Sequence, residues 1–214
     1  MTALKSFLNP GLLLILASVL SQPALADEVL WKSGKNLYIK LTEQDETASG
    51  ERPKPNDHPV ELDRNQVTNA LRLMQIWNEN YIRTNEAITV FSTQQARLLG
   101  EYIATGLRQA GPDQDIVFAL VKKERGFLSI ETREYLAGRA FYVDGRLNII
   151  IGDYAKPADR FKERMVQSHG GGDEVQYYFT HGKRSKSSGF DERVIGKDGI
   201  ETHQGRSDWY RIDV

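Results

Sequence analysis

The chain has 214 residues, of which 28 are basic and 29 acidic, so its formal net charge is −1. This balance excludes the strong positive excess with which nucleic-acid-binding proteins neutralise phosphates. The sequence has no cysteine, which excludes disulfides, thiolate nucleophiles and cysteine-based zinc sites. With 27% charged and 9% aromatic residues, the composition is that of a globular protein.

The first 26 residues have the pattern of a secretory signal peptide. Lys5 provides a positive N-terminal region, an apolar run from Gly11 to Leu20 follows, and small residues predict cleavage after Ala26. The apolar run has about half of the length that a membrane-spanning helix needs. We therefore expect a periplasmic or secreted protein with no stable membrane anchor after processing, whose residues 27–214 form a single domain.

The first predicted elements are a hairpin and a polar loop. Val29 to Thr42 contains two short apolar runs around Ser33-Gly34-Lys35, which predicts a hairpin at the edge of a sheet. Residues 44–59 combine acids and prolines with almost no apolar side chains. This composition predicts a solvated loop.

Two helices follow, each with a capping signal. Asp63 and Gln66 begin the first, and Ser92 and Gln95 begin the second. Apolar residues then recur at helical spacing, at Val67, Ala70, Leu71 and Met74 in the first helix and at Ala96, Leu99, Ile103, Gly106, Leu107 and Ala110 in the second. Ile88 to Phe91 predicts a strand before the second helix, and Gly111-Pro112 predicts a left-handed glycine cap at its end.

The strongest strand signal is Asp115 to Val121, whose six consecutive apolar residues predict a strand in the middle of the sheet with both faces buried. A hairpin is predicted next, because Asp144-Gly145 separates Leu136 to Val143 from Arg146 to Ile151. The predicted register pairs Tyr142 with Leu147, Ala140 with Ile149, and Gly138 with Ile151. Because Ala140 and Gly138 are small and lie opposite large residues, this face has room for the second helix.

The C-terminal part is predicted to be rich in strands. A short helix is expected within Pro157 to Gln167. Strands are then expected at Val175 to Thr180, at Phe190 to Ile195, and at either Ile200 to Thr202 or Trp209 to Val214.

Together these elements predict an α+β fold, with an antiparallel or mixed sheet and two main helices packed on one face. The core is expected over residues 60–155 and a strand-rich extension over 156–214. The order of elements from Ile88 to Ile151 resembles the α+β modules of bacterial periplasmic assembly and transport-accessory proteins, a likeness of fold that carries no function by itself.

The candidate binding residues are His181, Lys183, Arg184 and Lys186, which place several hydrogen-bond donors on a predicted turn. Such a cluster can bind a phosphate, a sulfate or an anionic envelope polymer. The alternative is a solvated hairpin tip without a ligand.

Catalytic motifs are weak. His169-Gly170-Gly171-Gly172 is similar to the oxyanion-hole loop of some esterases, but the chain has no Gly-x-Ser-x-Gly sequence to supply a nucleophile. His169, Asp173 and Glu174 could serve a hydrolase. No pair of histidines has the spacing of a metal site on one helix, and no motif indicates a cofactor.

The sequence therefore predicts an exported, non-enzymatic protein of the cell envelope that binds another envelope component, either a protein or an anionic polymer, and no nucleic acid. Two alternatives stay open. One is a periplasmic or secreted hydrolase that acts on a cell-wall or extracellular polymer, and the other is an anion-binding module built on the basic loop 181–188.

Overall fold

The computed structural model describes residues 27–77, 87–125, 131–168, 174–189, 193–195, 197 and 199–214. The predicted signal peptide, the glycine motif that begins at His169, and Asp173 lie outside the described residues. Among the helices of the described part, none combines the length and the apolar character that crossing a bilayer requires.

The described residues form eleven strands and three α-helices. The helices are α1 (Arg64–Leu73), α2 (Thr93–Gln109) and α3 (Arg160–Ser168). The strands are β1 (Glu28–Ser33), β2 (Leu37–Glu43), β3 (Gln75–Trp77), β4 (Ile88–Thr89), β5 (Gln114–Arg125), β6 (Glu131–Val143), β7 (Arg146–Ile151), β8 (Lys156–Pro157), β9 (Arg193–Ile195), β10 (Ile200–Thr202) and β11 (Trp209–Ile212).

Eight strands form the main sheet, in the order β1-β2-β5-β6-β7-β11-β10, with β8 paired to β6. The strand pairings in the described part are antiparallel. With α1 and α2 on one face, this arrangement confirms the predicted α+β fold. The predicted edge hairpin is β1 and β2, and both of the alternative C-terminal strands form, with β11 between β7 and β10.

Both main helices begin where the capping signals predict. The Asp63 carboxylate accepts hydrogen bonds from the backbone N–H groups of Asn65 and Gln66, each at 2.8 Å. At α2, Ser92 and Gln95 form a reciprocal capping box. The predicted apolar stripes are buried against the sheet, as shown by Val67, Leu71 and Met74 in and after α1 and by Ala96, Leu99, Ile103 and Leu107 in α2, all fully buried.

Replacing Ser92 with alanine is expected to lower the free energy of unfolding by about 1 kcal/mol. The reason is that the backbone N–H of Gln95, 3.2 Å from the Ser92 hydroxyl, loses its acceptor. Urea denaturation measures the change. Ser92→Asp retains an acceptor and should unfold close to the parent, so equal losses in both variants would contradict this role of the hydroxyl.

The predicted left-handed glycine cap after α2 is wrong. The helix ends at Gln109, Ala110 is already extended at φ −63° and ψ 140°, and Gly111 has no positive φ. A residue that precedes proline favours extended backbone, and Pro112 follows Gly111 directly. The side-chain oxygen of Gln114 accepts the Gly111 N–H at 2.8 Å and so completes the turn.

The central hairpin has the predicted register. Asp144 and Gly145 connect β6 to β7 with positive φ values of 54° and 72°, as the tight hairpin turn requires. Gly138 pairs with Ile151, and Ala140 pairs with Ile149. At Gly138, however, the space is filled by a side chain of the sheet, since a Cβ there would lie 2.6 Å from the Phe118 ring.

Two predicted elements differ from the structure. The strand predicted at Ile88 to Phe91 is only β4, and β4 lies in a second sheet of order β4-β3-β9. Val90 and Phe91 are buried instead in the core next to α2. Residues 193–195 of the strand predicted over 190–195 form β9 in that same small sheet.

The loop predicted to be solvated, residues 44–59, is anchored in its second half. Asn56 and His58 are only 4% and 7% exposed. The Asn56 amide donates to Gln114 O at 2.8 Å, and His58 Nε2 accepts the Tyr142 N–H at 2.9 Å. Polar side chains thus anchor a segment that has almost no apolar side chains to bury.

Candidate binding site

The sheet face opposite α1 and α2 is covered by residues 174–189, the covering segment. Its aromatic side chains pack on those of the sheet: the ring centroids of Tyr177 and Phe179 lie 5.0 and 5.1 Å from that of Tyr135, and Phe179 lies 6.5 Å from Tyr38. The sheet therefore lies between the helices on one side and an irregular layer on the other.

The strand predicted at Val175 to Thr180 is wrong, because this part of the covering segment forms no strand ladder: Thr180 O accepts the Asp153 N–H at 3.0 Å, and other backbone groups bond to side chains. The Asn36 amide accepts the Tyr177 N–H at 2.7 Å and donates to Val175 O at 2.7 Å. The Asp153 carboxylate accepts the Thr180 N–H at 3.0 Å. Backbone groups that a strand ladder would satisfy are thus satisfied one by one.

Gly152 allows the covering segment to approach the end of β7. A Cβ at this position would lie 1.9 Å from Thr180 O and 2.3 Å from Gly182 N. Both atoms belong to the backbone, so a side-chain rotation cannot relieve the clash. Gly152 is therefore required for docking of the segment.

Replacing Gly152 with alanine is expected to lower the free energy of unfolding by about 1–3 kcal/mol, the usual range for overpacking. Limited proteolysis should also cut the covering segment faster than in the parent. Gly111→Ala is the matched control, because its Cβ would meet the ends of two flexible side chains, Asp113 Oδ1 at 3.1 Å and Gln114 Oε1 at 3.6 Å. Equal stability of Gly152→Ala and the parent would show that the segment is not docked this way.

A buried ion cluster lies between the covering segment and the sheet. The Arg184 guanidinium donates to Asp45 Oδ1 at 2.6 Å and to both Asp115 oxygens at 2.5 and 2.8 Å. Arg139 donates to Asp115 Oδ2 at 2.5 Å. Burial raises the pKa of Asp115, but the hydrogen bonds and charges of Arg184 and Arg139 outweigh it and hold this pKa below the ordinary value.

The predicted anion-binding residues are separated by the fold. His181 lies against the sheet, with Nε2 2.6 Å from the Tyr38 hydroxyl, and burial lowers its pKa to about 4. The Arg184 side chain is 7% exposed and is held by carboxylates. Lys183 and Lys186 are exposed. The structure therefore presents the two lysines to solvent and not the predicted set of four.

The hydrolase candidates are not brought together in the described part. Both carboxylate oxygens of Glu174 bind the β1–β2 turn, one accepting the Lys35 N–H at 2.6 Å and the other the Asn36 amide at 3.1 Å. His169 and Asp173 lie outside the described residues. Within the described residues, no three His, Asp or Glu side chains could together hold a metal ion.

A cavity of about 410 Å³ opens beside the ion cluster, between the loop 47–56, the β6–β7 turn and the C-terminal strand. We call it the basic–aromatic cavity. Its lining combines positive and aromatic side chains, namely Lys54, Arg184, Arg206, Arg211, Phe141, His203 and Trp209. Asp144 supplies a negative charge to the same lining.

The floor of this cavity consists of stacked planes. The Arg184 guanidinium lies 3.7 Å from the Phe141 ring centroid, and Arg206 lies 5.0 Å from that of Trp209. His203 stacks on Trp209 with centroids 4.0 Å apart. The Trp209 indole N–H donates to Asn148 Oδ1 at 2.9 Å, which fixes the ring. Stacking and hydrogen bonds together hold these side chains in one arrangement.

Arg206 joins the cavity to the basic loop. It donates to the carbonyls of Lys183, Arg184 and Lys186, at 2.8, 2.8 and 3.2 Å, and to both oxygens of Asp208 at 2.9 Å. Burial raises the pKa of Asp208, but the Arg206 hydrogen bond lowers it below the ordinary value. The basic loop is therefore bound to the cavity wall through its backbone.

Two turns form the rim. Lys54 Nζ lies 2.6 Å from Asp144 Oδ1, and both side chains are well exposed, at 67% and 59%. On the other side, Gln204 is exposed and has a left-handed φ of 50°, which is uncommon for a residue other than glycine. The rim thus carries polar groups that face solvent.

Sequence reasoning identified Arg184 and missed most of the other cavity residues. In the neighbouring ion cluster, Arg139 and Asp115 carried a signal, because a charged residue within a buried strand indicates an internal ion pair. Lys54, His203 and Arg206 lie in polar loops and carried none. Comparisons with protein-family models, with curated proteins and with solved structures gave no match for this chain.

Proposed function

We propose that this protein is exported and acts in the cell envelope as a non-enzymatic binding protein, whose ligand is an anionic envelope component that enters the basic–aromatic cavity. The N-terminal pattern supports export, since a positive residue, an apolar run and small residues precede Asp27. The cavity supports binding, since its cations and rings converge on one open space.

The observation that carries the proposal is the fixed floor of the cavity. Arg184 and Arg206 are held by carboxylates on one side and stacked on aromatic rings on the other. A ligand that contacts such side chains does not have to order them first, so less binding free energy is lost on association.

Binding is favoured over hydrolysis by the state of the nearby carboxylates. Arginines hold the pKa values of Asp115 and Asp208 below the ordinary range, so neither group carries a proton near neutral pH. A hydrolase that protonates a leaving group needs a carboxyl with a raised pKa. The carboxylates beside this cavity therefore suit a binding site better than an acid–base pair.

The binding proposal is tested by titrating the mature protein with orthophosphate and with galacturonate, followed by NMR of the Trp209 indole N–H. We expect saturable shifts, and affinities three- to tenfold weaker in Lys54→Ala and Arg211→Ala. Lys162→Ala, an exposed lysine on α3, is the matched control. Absence of a shift with both anions would refute the cavity as an anion site.

Export is tested by sequencing the N-terminus of the protein recovered from its native cell. We expect the chain to begin at Asp27 and to be found outside the cytoplasm. An intact Met1 on cytosolic protein would refute the export part of the proposal and leave the binding part to the titration.

A further inference from the structure

We infer that the ligand is a polyanionic chain, with one unit in the basic–aromatic cavity and further units on Lys183 and Lys186. This inference rests on the proposed function and specifies its ligand class. The units share one feature, a repeated anionic group, which is either a phosphate or a carboxylate.

The first argument is the distribution of uncompensated charge. Inside the cluster, the positive charges of Arg139, Arg184 and Arg206 are balanced by Asp45, Asp115 and Asp208. Lys183 and Lys186, by contrast, are exposed and form no ion pair within the part of the chain that the structure describes. Unpaired positive charge that can attract further anionic units therefore lies on the basic loop, next to the cavity.

The second argument is that the basic loop is fixed to the cavity. The Arg206 guanidinium makes five hydrogen bonds, two to Asp208 and three to backbone carbonyls of the basic loop. These bonds hold the backbone at residues 183–186 against the cavity wall. The two lysines therefore extend from an anchored backbone directly beside Arg184 and Arg206, which line the cavity.

The third argument concerns the cavity rim. The Lys54–Asp144 pair is exposed on both sides, and such pairs contribute about 0–1 kcal/mol. An anionic group of the ligand can replace Asp144 beside Lys54 with little loss. Anion sites thus exist both at the rim and on the loop, and a chain that bears a charge on every unit can occupy both at once.

Linking two weak contacts raises affinity because the second contact becomes intramolecular. A single anion occupies one place and gains nothing from the other. We therefore expect long-chain polyphosphate to bind the mature protein about 10² times more tightly than orthophosphate, compared at equal phosphate concentration. Polygalacturonate against galacturonate provides the same comparison for carboxylates.

The decisive variant is Lys183→Ala/Lys186→Ala, measured by isothermal titration calorimetry. It should remove most of the gain from chain length and leave the affinity for the single anion within about twofold. The salt dependence of chain binding should also weaken by about one unit of slope per lysine. Lys162→Ala/Arg164→Ala, which removes two exposed cations from α3, is the matched control and should keep the gain.

The outcomes separate this inference from the proposed function. A gain with either polymer that depends on the two lysines supports the inference. Equal affinity for chains and single anions, or a gain that survives Lys183→Ala/Lys186→Ala, overturns it and leaves the binding function in place. If neither the chains nor the single anions bind, the proposed function fails as well. Both substituted lysines are exposed, so thermal unfolding of the variant should match that of the parent.

Discussion

Replacing Arg184 with methionine is expected to lower the free energy of unfolding by about 3–5 kcal/mol, the range for removing one partner of a buried ion pair. Methionine retains the length and the contact with Phe141 but leaves Asp115, which is fully buried, with Arg139 as its remaining cation. Asp45, with 11% of its side chain exposed, also loses its closest cation. Chemical denaturation measures the loss.

Two further variants show whether buried charge is the cause. Lys183→Met changes the exposed neighbour and should stay within about 0.5 kcal/mol of the parent. Arg184→Met/Asp115→Asn should be more stable than the sum of the single changes predicts, because the unpaired negative charge is gone. Strict additivity, or a loss at Arg184 no larger than that at Lys183, would contradict the buried cluster.

Acid is expected to destabilise the protein between about pH 6.5 and pH 4 through His181. Burial, followed by the charges of Arg139 and Lys40, lowers the folded-state pKa from 6.5 to about 4, so the unfolded chain takes up this proton first. Stability therefore falls as the pH drops through this window and levels off below it. A shift of this size corresponds to about 3 kcal/mol.

The measurement is the free energy of unfolding against pH for the parent and for His181→Gln. The pKa of His58 is also lowered by burial, and His58 contributes equally to both curves. The contribution of His181 is therefore the difference between the two curves. Carboxylates with lowered pKa values, such as Asp115, act only at still lower pH. Parallel curves would show that His181 is not buried as described.

The parts of the fold that could be predicted depend on local signals. Ser92 and Gln95 lie three residues apart and cap α2 wherever the helix packs. Asp144-Gly145 determines the turn and, with it, the register of β6 and β7. Each of these signals acts over a few neighbouring residues, so the element that it determines can be predicted from the local sequence alone.

The covering segment could not be predicted, because its partners are distant side chains. The aromatic and β-branched residues from Val175 to Thr180 are typical of a strand. The backbone of the segment bonds instead to the Asn36 side chain, which is 141 residues from Tyr177 in the sequence. No local pattern in the sequence reports that contact.

The candidate site could be predicted only in part, again because distant residues determine which side chains are exposed. The cluster from His181 to Lys186 indicates a basic surface, and for the two lysines this remains a prediction about binding. Arg184 differs because Asp115 and Asp45, 69 and 139 residues away, neutralise it. Long-range ion pairs determine which residues of a basic run face solvent, and composition alone cannot distinguish them.

The order of the main sheet affects how fast the chain can fold. β2 pairs with β5, and Tyr38 lies opposite Ala119, so α1 and α2 must both be spanned before the centre of the sheet closes. Pairings between such distant segments make folding slower than in helical bundles, whose contacts are mostly local. For the exported protein that we propose, a slow rate leaves time for the unfolded chain to be translocated, and the fold would then be acquired after translocation.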